Sequence, residues 1–296
     1  MYPAAFDYVR AENLEHALDV LAEHGLGARP LAGGQSLLPI LKLRLLTPAV
    51  IVDISRLGEL DYVREENGRW HIGGLTRHAD LAERAWPPEL AILRDCASTI
   101  GDVQVRNMGT IAGALAHADP GGNWGPALQA LDAEVSVASK AGTRTIPVTE
   151  LFAGAYETVL EPGDLITEVS LPVPAVGGAG AYLKLAKRAG DFAIASVAVQ
   201  VGCTAAGVYE DASIGIGGVG DAPVRARDAE AFLHGRLLDD GVLAEAGALA
   251  AGAAGAGADV RASAEYREAM VRELVARAIR VGLRRAAGEA VSAGYV

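Results

Sequence analysis

Two glycine-containing segments are the residues of this chain best suited to hold a phosphorylated ligand. The first reads Ala32-Gly33-Gly34-Gln35-Ser36, where adjacent glycines let the backbone approach a ligand closely and the following amides can point at a pyrophosphate. A Gly-Gly pair also occurs in ordinary tight turns. The second segment, Gly109 to Pro120, consists mainly of small residues and ends in the polar His117 and Asp119. Two such loops in one α/β region favour a single extended ligand.

A third glycine-rich segment fits a dinucleotide-binding pattern only in its letters. Gly215 to Gly220 matches G-x-G-x-x-G, but that pattern should open a helix after the first strand of a βαβ unit, and Asp221-Ala222-Pro223 follows here. We therefore interpret it as structural. The patterns G-x-x-x-x-G-K-[ST], H-E-x-x-H and G-x-S-x-G are absent from the sequence, so the commonest signals of an NTPase, a zinc protease or an α/β-hydrolase are missing.

The potential metal ligands are few and poorly spaced. Cys96 and Cys203 are the only cysteines, fewer than the four thiolates that an iron–sulfur cluster usually needs. His71 and His78 are seven residues apart and have no obvious third ligand, so we interpret them as surface or hydrogen-bonded core histidines. The sequence predicts no metal site and no catalytic acid or base, and any metal redox centre would then lie on another chain.

The elements around the first loop form a small α/β unit. Leu14, Ala17, Leu18 and Leu21 have the i, i+3, i+4, i+7 spacing of a buried helix face, and Gly25 can end that helix. Residues 29–31 are predicted to be a short strand that enters the glycine turn, and residues 50–54 a buried strand. The unit spans residues 1 to about 56.

A second unit covers about residues 57–175 and carries the second loop. Its predicted strands include residues 70–74 and 134–137, with a helix near Leu81, and the segment from Leu171 to Gly178 has the proline and glycine content of a linker. Residues 176–296 are predicted to form an α+β domain with neighbouring strands at 193–203 and 212–219 and helices at 227–237, 240–251 and 263–287.

The last predicted helix has an apolar stripe and a basic end. Tyr266, Met270, Leu274 and Ala278 repeat every four residues. Four arginines near its C-terminus would complement the negative end of the helix dipole, and we interpret them as a solvated helix end: Arg277, Arg280, Arg284 and Arg285.

Composition limits the partners. The formal net charge of -11 argues against a nucleic-acid surface, because phosphate backbones are bound by clustered Lys and Arg. The first ten residues lack a basic cluster followed by an apolar run, so no signal peptide is predicted and we expect a cytoplasmic location. The Ala-rich stretch from Leu243 to Ala258 is interrupted by glycines and is shorter than the roughly 20 apolar residues of a membrane span.

At the two loops, the sequence resembles the FAD-binding medium subunit of the molybdenum hydroxylases, the family of carbon monoxide dehydrogenase, quinoline oxidoreductase and the flavin domain of xanthine dehydrogenase. The resemblance covers nearly the whole chain and rests on these segments: Phe6 to Tyr8, Arg29 to Arg44, Gly109 to Pro120, Gly154 to Tyr156, Glu161 to Ile166, Lys184 to Asp191 and Pro223 to Arg225. It implies an α+β fold, with a two-lobed FAD-binding domain of the vanillyl-alcohol oxidase type followed by a smaller α+β domain.

The same resemblance implies a set of FAD-binding residues. The first loop would wrap the pyrophosphate, the second would follow the phosphates and the ribityl chain, a Leu-Ile pair would contact the adenine, and two lysines would place cations near the flavin or phosphates. In this order the residues are Leu31, Ala32, Gly33, Gly34, Gln35, Ser36 and Leu37; Thr110, Gly113, Ala114, His117 and Asp119; Leu165 and Ile166; and Lys184 and Lys187.

The chain departs from the family pattern at three positions. Where the family often has Gly-Gly-Asn, this chain has Ala112-Gly113-Ala114, and where it often has an Asp near the FAD ribose, this chain has Asn123. We expect the Ala112 methyl group to crowd a glycine-only conformation and Ala114 to remove one hydrogen bond, typically ~1 kcal/mol. Gln35 stands where some related oxidases carry a flavin-linked His, so the resemblance implies non-covalent FAD.

The implied function is electron transfer within a larger complex. Substrate would be oxidised at a molybdenum cofactor on a large subunit, electrons would cross two [2Fe-2S] clusters on a small subunit, and FAD on this chain would pass them to an external acceptor, with two heterotrimers forming a dimer. Two alternatives stay open: a self-contained flavin oxidase or reductase, and a non-catalytic assembly subunit that has lost FAD.

Overall fold

The first lobe is a three-stranded parallel sheet with one long helix. The computed structural model describes residues 2–174, 177–203 and 209–295. The elements of this lobe are β1 (Asp7–Arg10), α1 (Leu14–His24), β2 (Ala28–Leu31), α2 (Leu37–Lys42) and β3 (Val50–Asp53), and the strand order is β1-β3-β2. Asn13 caps α1 by accepting a hydrogen bond from the His16 amide, and Gly25 ends it at φ +49°. The predicted helix and both predicted strands are confirmed.

The second lobe is an antiparallel sheet covered by helices. Its strands are β4 (Val63–Glu66), β5 (Arg69–Gly73), β6 (Glu134–Ser139), β7 (Gly142–Pro147) and β10 (Leu165–Pro172), in the order β4-β5-β10-β6-β7, with a small hairpin of β8 (Phe152–Gly154) and β9 (Glu157–Thr158). Its helices are α3 (His78–Glu83), α4 (Ala91–Ser98), α5 (Val103–Met108), α6 (Ile111–His117), α7 (Trp124–Ala130) and α8 (Val148–Leu151). The second predicted loop, Gly109 to Pro120, is therefore not a loop throughout: it contains the whole of α6 together with the residues on either side of it.

Strand β10 joins the two lobes. Successive side chains of a strand point to opposite faces. Leu165 accordingly packs into the core of the first lobe with Leu18 and Leu21, and Ile166 packs into the core of the second lobe with Ile111. The two adjacent residues thus belong to the cores of different lobes.

The C-terminal domain is a five-stranded sheet with helices packed on it. Its elements are β11 (Ala179–Leu185), β12 (Ala195–Cys203), β13 (Tyr209–Gly217), β14 (Val224–Arg225), α9 (Arg227–Leu233), α10 (Asp240–Ala253), α11 (Ala264–Ala286) and β15 (Gly294–Tyr295), and the strand order is β14-β13-β12-β11-β15. Gly215 lies against α7, because a Cβ there would overlap the carbonyl oxygen of Pro126. Its role is thus helix packing. The predicted architecture, a two-lobed domain followed by a smaller mixed domain, is confirmed; the predicted boundary at residues 175 and 176 lies outside the described residues.

The predicted end of one helix in this domain needs correction. Helix α9 ends at Leu233, four residues earlier than predicted, and Gly235 follows at φ +73°. A strict four-residue repeat drifts around a helix of 3.6 residues per turn. Tyr266 is therefore exposed, whereas Ala278 is fully buried.

Arg285 is not part of a solvated helix end. Its guanidinium forms two hydrogen bonds with the Asp95 carboxylate, of 2.6 and 3.0 Å, and both side chains are about nine-tenths buried. The other three arginines form exposed ion pairs, as expected of a helix end: Arg277 with Glu273, Arg280 with Asp240 and Arg284 with Glu289. The Arg285–Asp95 pair connects α11 of the C-terminal domain to α4 of the second lobe.

Candidate functional site

The first loop presents four successive backbone amide groups that form no hydrogen bond with any described residue. No hydrogen bond from the amides of Gly33, Gly34, Gln35 or Ser36 to another residue is found in the part of the chain that the structure describes. Gly34 has φ +72°, in the left-handed region that favours glycine. The exposed Gln35 side chain donates to the Gly33 carbonyl at 3.3 Å. Successive free amides in such a turn form a concavity that suits an anion.

The two predicted loops are in direct contact. A Cβ at Gly33 would overlap the carbonyl oxygen of Met108 and lie 2.9 Å from the Gly109 Cα. Only glycine allows the two backbones to approach this closely. The sequence had assigned this glycine to close approach of a ligand, and the structure gives it a further role, because the second loop forms the wall behind the first.

The second loop is fixed by the segment that follows β5. The Ile111 amide donates to the Thr76 carbonyl at 3.1 Å, and the Ala112 amide donates to the Gly74 carbonyl at 3.1 Å. Thr110 caps α6 by accepting from the Gly113 amide at 3.2 Å. The first amides of α6 are thus already bonded, so this loop offers fewer free donors than the first.

The Ala112 methyl group does not disturb the backbone. Ala112 lies in the first turn of α6 and is not among the residues with positive φ, and its methyl packs in the core of the second lobe. The expectation that it would crowd a glycine-only conformation is therefore wrong. The half-buried Ala114 lies on the same helix.

His78 supports the second loop from behind. Its amide donates to the Gly109 carbonyl at 3.0 Å, and its Nδ1 accepts from Trp124 Nε1 at 3.1 Å. Burial, together with the positive charge of Arg106, lowers the pKa of His78 to about 4. The imidazole is therefore neutral at pH 7, which agrees with its interpretation as a hydrogen-bonded core residue. No local sequence pattern indicates this role, because the contact joins residues 31 positions apart.

His117 and Asp119 form a cluster with Tyr156 at the end of α6. The Tyr156 hydroxyl donates to Asp119 Oδ2 at 3.2 Å, and the His117 and Tyr156 rings lie 5.3 Å apart. Burial lowers the pKa of His117, against the effect of Asp119. Ala118 and Tyr156 both have left-handed backbone, at φ +51° and +60°, and the Tyr156 amide donates to the Ala118 carbonyl. Residues with strained backbone of this kind occur preferentially at functional sites.

Lys184 and Asn123 share a buried network between the two domains. Lys184 Nζ donates to the Thr99 carbonyl at 3.0 Å and to Asn123 Oδ1 at 3.2 Å. Asn123 Nδ2 donates in turn to the Cys96 carbonyl and to the Thr99 hydroxyl. Burial lowers the pKa of Lys184 to about 8. The Asn123 side chain thus forms hydrogen bonds with protein groups through both its amide nitrogen and its oxygen. Lys184 places a cation at the domain boundary.

Tyr295 fixes the loop that carries Lys187. Its hydroxyl accepts from the Gly190 amide at 2.6 Å and donates to the Thr99 carbonyl at 2.8 Å, while its ring lies 5.6 Å from Lys184 Nζ. Lys187 is exposed on this loop. Phe192, at the end of the loop, exposes its ring and packs on the turn after α6, because a Cβ at Gly121 would lie 3.1 Å from its Cβ. Three residues of this site were not among the predicted site residues: Tyr295, Tyr156 and Phe192.

The two residues predicted to contact the adenine, Leu165 and Ile166, do not present their side chains to solvent. The side chains of Leu165 and Ile166 are buried in the cores, so only their backbone is available to a ligand. The Ile166 carbonyl comes close to Gly74, which in turn binds Ala112. An open surface hollow of about 410 Å³ lies elsewhere, between α1 and the β6–β7 turn, and no predicted site residue lines it.

No group of three or more His, Cys, Asp or Glu side chains that could hold a metal ion is found among the described residues. Within the same residues, no helix is both long and apolar enough to cross a membrane.

Two family profiles together cover most of the chain. Residues 4–174 match the family described as FAD binding domain in molybdopterin dehydrogenase. Residues 180–281 match the family described as CO dehydrogenase flavoprotein C-terminal domain.

Curated relatives and solved structures agree with these profiles. The chain is 40% identical to the glyceraldehyde dehydrogenase medium chain of Sulfolobus acidocaldarius over 95% of its length and 99% of the relative's. It is 39% identical to the carbon monoxide dehydrogenase medium chain of Afipia carboxidovorans, covering 94% and 97%. A chain of reconstituted CO dehydrogenase from Oligotropha carboxidovorans superimposes with a TM-score of 0.93 at 38% identity, covering 96% of this chain and all of that one. Quinoline 2-oxidoreductase from Pseudomonas putida 86 gives 0.90 at 31% identity, covering 97% and 99%.

Proposed function

The chain belongs to the family of FAD-binding medium subunits of molybdenum hydroxylases, and from this we propose that it passes electrons from the iron–sulfur clusters of a partner subunit through FAD to an external acceptor. The observation that supports this most directly is the first loop, where four consecutive amides form no hydrogen bond with a described residue and the second loop contacts Gly33. A pyrophosphate is the part of FAD that such amides bind.

The residues of the site fit FAD in three places. The amides from Gly33 to Ser36 would hold the pyrophosphate, and Gly113, exposed on α6 beside Thr110, leaves room for a chain to pass. The strained cluster of His117, Asp119 and Tyr156 would border the ribityl and flavin part. Gln35 offers an exposed carboxamide for hydrogen bonding.

Bound FAD would supply the electron-carrying chemistry, and the chain supplies binding, orientation and a fixed electrostatic environment. Lys184 holds its ammonium group in place through Thr99 and Asn123, and no carboxylate forms an ion pair with it among the described residues. A cation that is not neutralised by a counter-ion favours negative charge in its surroundings. His78 stays neutral and keeps the second loop in position.

We propose that the partners are a large molybdenum-cofactor subunit and a small iron–sulfur subunit, in a dimer of heterotrimers. The carbon monoxide dehydrogenase and 6-hydroxypseudooxynicotine dehydrogenase relatives are named as a medium chain and as a subunit of a complex, respectively. The absence of a metal-binding cluster among the described residues is compatible with this division of labour. The organic substrate would then bind to another chain.

Anaerobic flavin reduction tests the proposal. The organic substrate of the complex is added to the purified FAD-loaded chain and, separately, to the reconstituted three-subunit complex, and flavin bleaching is followed in both. Bleaching only in the complex is expected. Rapid bleaching of the isolated chain would instead favour a self-contained flavin oxidase or reductase, and a colourless chain that cannot take up FAD would favour an assembly subunit.

A further inference from the structure

The glycine-rich segment at the end of β13 lies where the two domains meet. The Gly218 amide donates to the Pro120 carbonyl at 2.9 Å, in the turn that follows α6. Gly218 has φ +77°, and a Cβ there would lie 2.9 Å from the Cβ of Ala193, the neighbour of Phe192. A glycine at this position therefore contacts both the turn after α6 and the end of the loop that carries Lys187.

A buried arginine of α11 binds the same glycine. The Arg267 guanidinium donates to the Gly218 carbonyl and, at 3.0 Å, to the Ile194 carbonyl. Its other terminal nitrogen donates to Asp259 Oδ1 at 2.6 Å. Arg267 is only 3% exposed, and these three acceptors offset the cost of burying its charge.

The turn after α6 and Phe192 both belong to the part of the site placed beside the ribityl and flavin groups. We call residues 119–122 the aspartate turn. The Asp119 carboxylate accepts from the Gly121 amide at 2.8 Å and from the Tyr156 hydroxyl at 3.2 Å. A Cβ at Gly121 would lie 3.1 Å from the Phe192 Cβ, and Phe192 is 55% exposed. The aspartate turn and the exposed ring thus form one continuous surface.

We propose that Arg267 is a positioning residue for the flavin end of bound FAD, which fixes Phe192 relative to the aspartate turn without touching the cofactor. This inference rests on the proposed function. The guanidinium binds the carbonyl two residues after Phe192 and also the residue that bonds to Pro120. It is a rigid planar group, so it sets the separation of these two segments, whereas a lysine ammonium is a single point of attachment. The surroundings of the isoalloxazine then depend on a side chain of the C-terminal domain.

Two substitutions in the full-length chain disturb this connection by different routes. Arg267→Met removes the donors to Ile194 and Gly218 and keeps an extended side chain. Gly218→Ala keeps the arginine but forces a Cβ against Ala193. Each should change the visible circular dichroism of bound FAD and raise its dissociation constant about 3- to 10-fold. Arg267→Lys restores part of the hydrogen bonding and should give values between those of Arg267→Met and the unmodified chain.

A double-mutant cycle separates positioning from a loss of stability. If Arg267 acts on the flavin through Phe192, Arg267→Met should change the flavin dichroism less than half as much in a Phe192→Ala chain as in the unmodified chain. A merely structural effect would be the same in both chains. Equal changes in the two chains would therefore overturn the proposal.

Two control variants carry the same kinds of damage at other places. Gly235→Ala has a similar left-handed backbone, at φ +73°, but its Cβ would meet nothing within 4 Å. Arg225→Met removes another buried arginine, which binds the Gln129 carbonyl and Asp132 beyond the opposite end of α7. Each control should lower the melting temperature and leave the flavin dichroism unchanged.

The outcomes distinguish this inference from the proposed function. Unchanged flavin dichroism and affinity in Arg267→Met or in Gly218→Ala would overturn the positioning role and leave the proposed function intact. A change in Arg225→Met as large as that in Arg267→Met would overturn it as well. If Arg267→Met does not fold, Gly218→Ala and Arg267→Lys decide by the same criteria. An unmodified chain that cannot bind FAD would overturn both.

Discussion

Gly33 lies directly against Met108, so that the glycine loop after β2 and the segment before α6 touch backbone to backbone. The contact joins the two lobes at the residues that the sequence had associated with one extended ligand. The shape of the first loop therefore depends on the position of the second. A change on either side should alter the affinity for a ligand held on the amides of residues 33–36, which bond to no described residue.

Substitution of the two glycines should separate their roles. Gly33→Ala must displace the Met108–Gly109 backbone, because its Cβ has no space. In Gly34→Val, the nearest neighbours of the new Cβ are the side chains of Leu38 and Leu31. The valine must also keep the left-handed backbone conformation at φ +72°, which costs about 1–2 kcal/mol. We expect both variants to weaken FAD binding at least about 10-fold, with Gly34→Val remaining folded; equilibrium titration with FAD and circular dichroism measure this.

Gly58→Ala is the matched control, since its Cβ would meet nothing within 4 Å and its φ is not positive. It should bind FAD as the unmodified chain does. Unchanged FAD affinity in Gly34→Val would place the phosphates elsewhere, and unchanged affinity and stability in Gly33→Ala would contradict the contact between the loops.

The buried pair of Arg285 and Asp95 should contribute strongly to stability. Arg285→Ala leaves the Asp95 carboxylate buried without its partner, and breaking such a pair costs about 3–5 kcal/mol. Arg284→Ala removes only an exposed pair with Glu289 and should change the free energy of unfolding by less than about 1 kcal/mol. Urea unfolding of both variants measures the difference. Equal effects at the two arginines would contradict the proposed connection between α11 and α4.

The difference between these neighbouring arginines shows what the sequence could and could not predict. Arg285 follows the buried Gly282 by three residues and the buried Ala278 by seven, so its place on the inner face of α11 could have been found from helical periodicity. Its partner could not, because Asp95 is 190 positions away and lies on a helix of the other domain. The fold-level prediction succeeded because glycine turns, strand patterns and family motifs are local in sequence.

The candidate site, like the fold, could be predicted only where its features are local in sequence. The two loops were identified from their own residues, and the structure brings them together at Gly33. His78, Tyr156 and Tyr295 were missed as site residues because their contacts are made by the fold, between segments that lie far apart along the chain. The Ala112 expectation failed because the helical backbone of that residue does not require glycine.

The neutral His78 should make stability depend on pH. Its pKa is lowered to about 4 in the folded chain and is near 6.5 when unfolded, so the unfolded state binds the extra proton between these values. Stability is therefore lost as the pH falls from about 6.5 to about 4, by up to about 3 kcal/mol from this residue. His78→Gln keeps a hydrogen-bond acceptor for Trp124 but does not titrate. Denaturant unfolding at several pH values should show a flatter profile for this variant, and parallel profiles would contradict the assignment.

Tyr295 should restrain the loop around Gly190. Tyr295→Phe removes the hydroxyl that accepts from the Gly190 amide and donates to the Thr99 carbonyl, while the ring near Lys184 is kept. We expect faster hydrogen exchange at Gly190 and a several-fold lower affinity for FAD, because the loop carrying Lys187 would lose its attachment. Tyr266→Phe, at an exposed position of α11, is the control. Exchange at Gly190 that stays as slow as in the unmodified chain would refute the restraint.

FAD should be bound without a covalent link. Gln35 stands where some related oxidases carry a flavin-linked His, and its carboxamide is not a nucleophile. Cys96 is completely buried, and burial raises the pKa of its thiol well above the usual range, so it is not available as a thiolate; Cys203 lies in β12, outside both loops. Acid denaturation followed by filtration should therefore release all of the yellow colour into the filtrate. Flavin that stays with the denatured chain in the unmodified protein, but not in Gln35→Ala, would identify residue 35 as an attachment site and contradict this prediction.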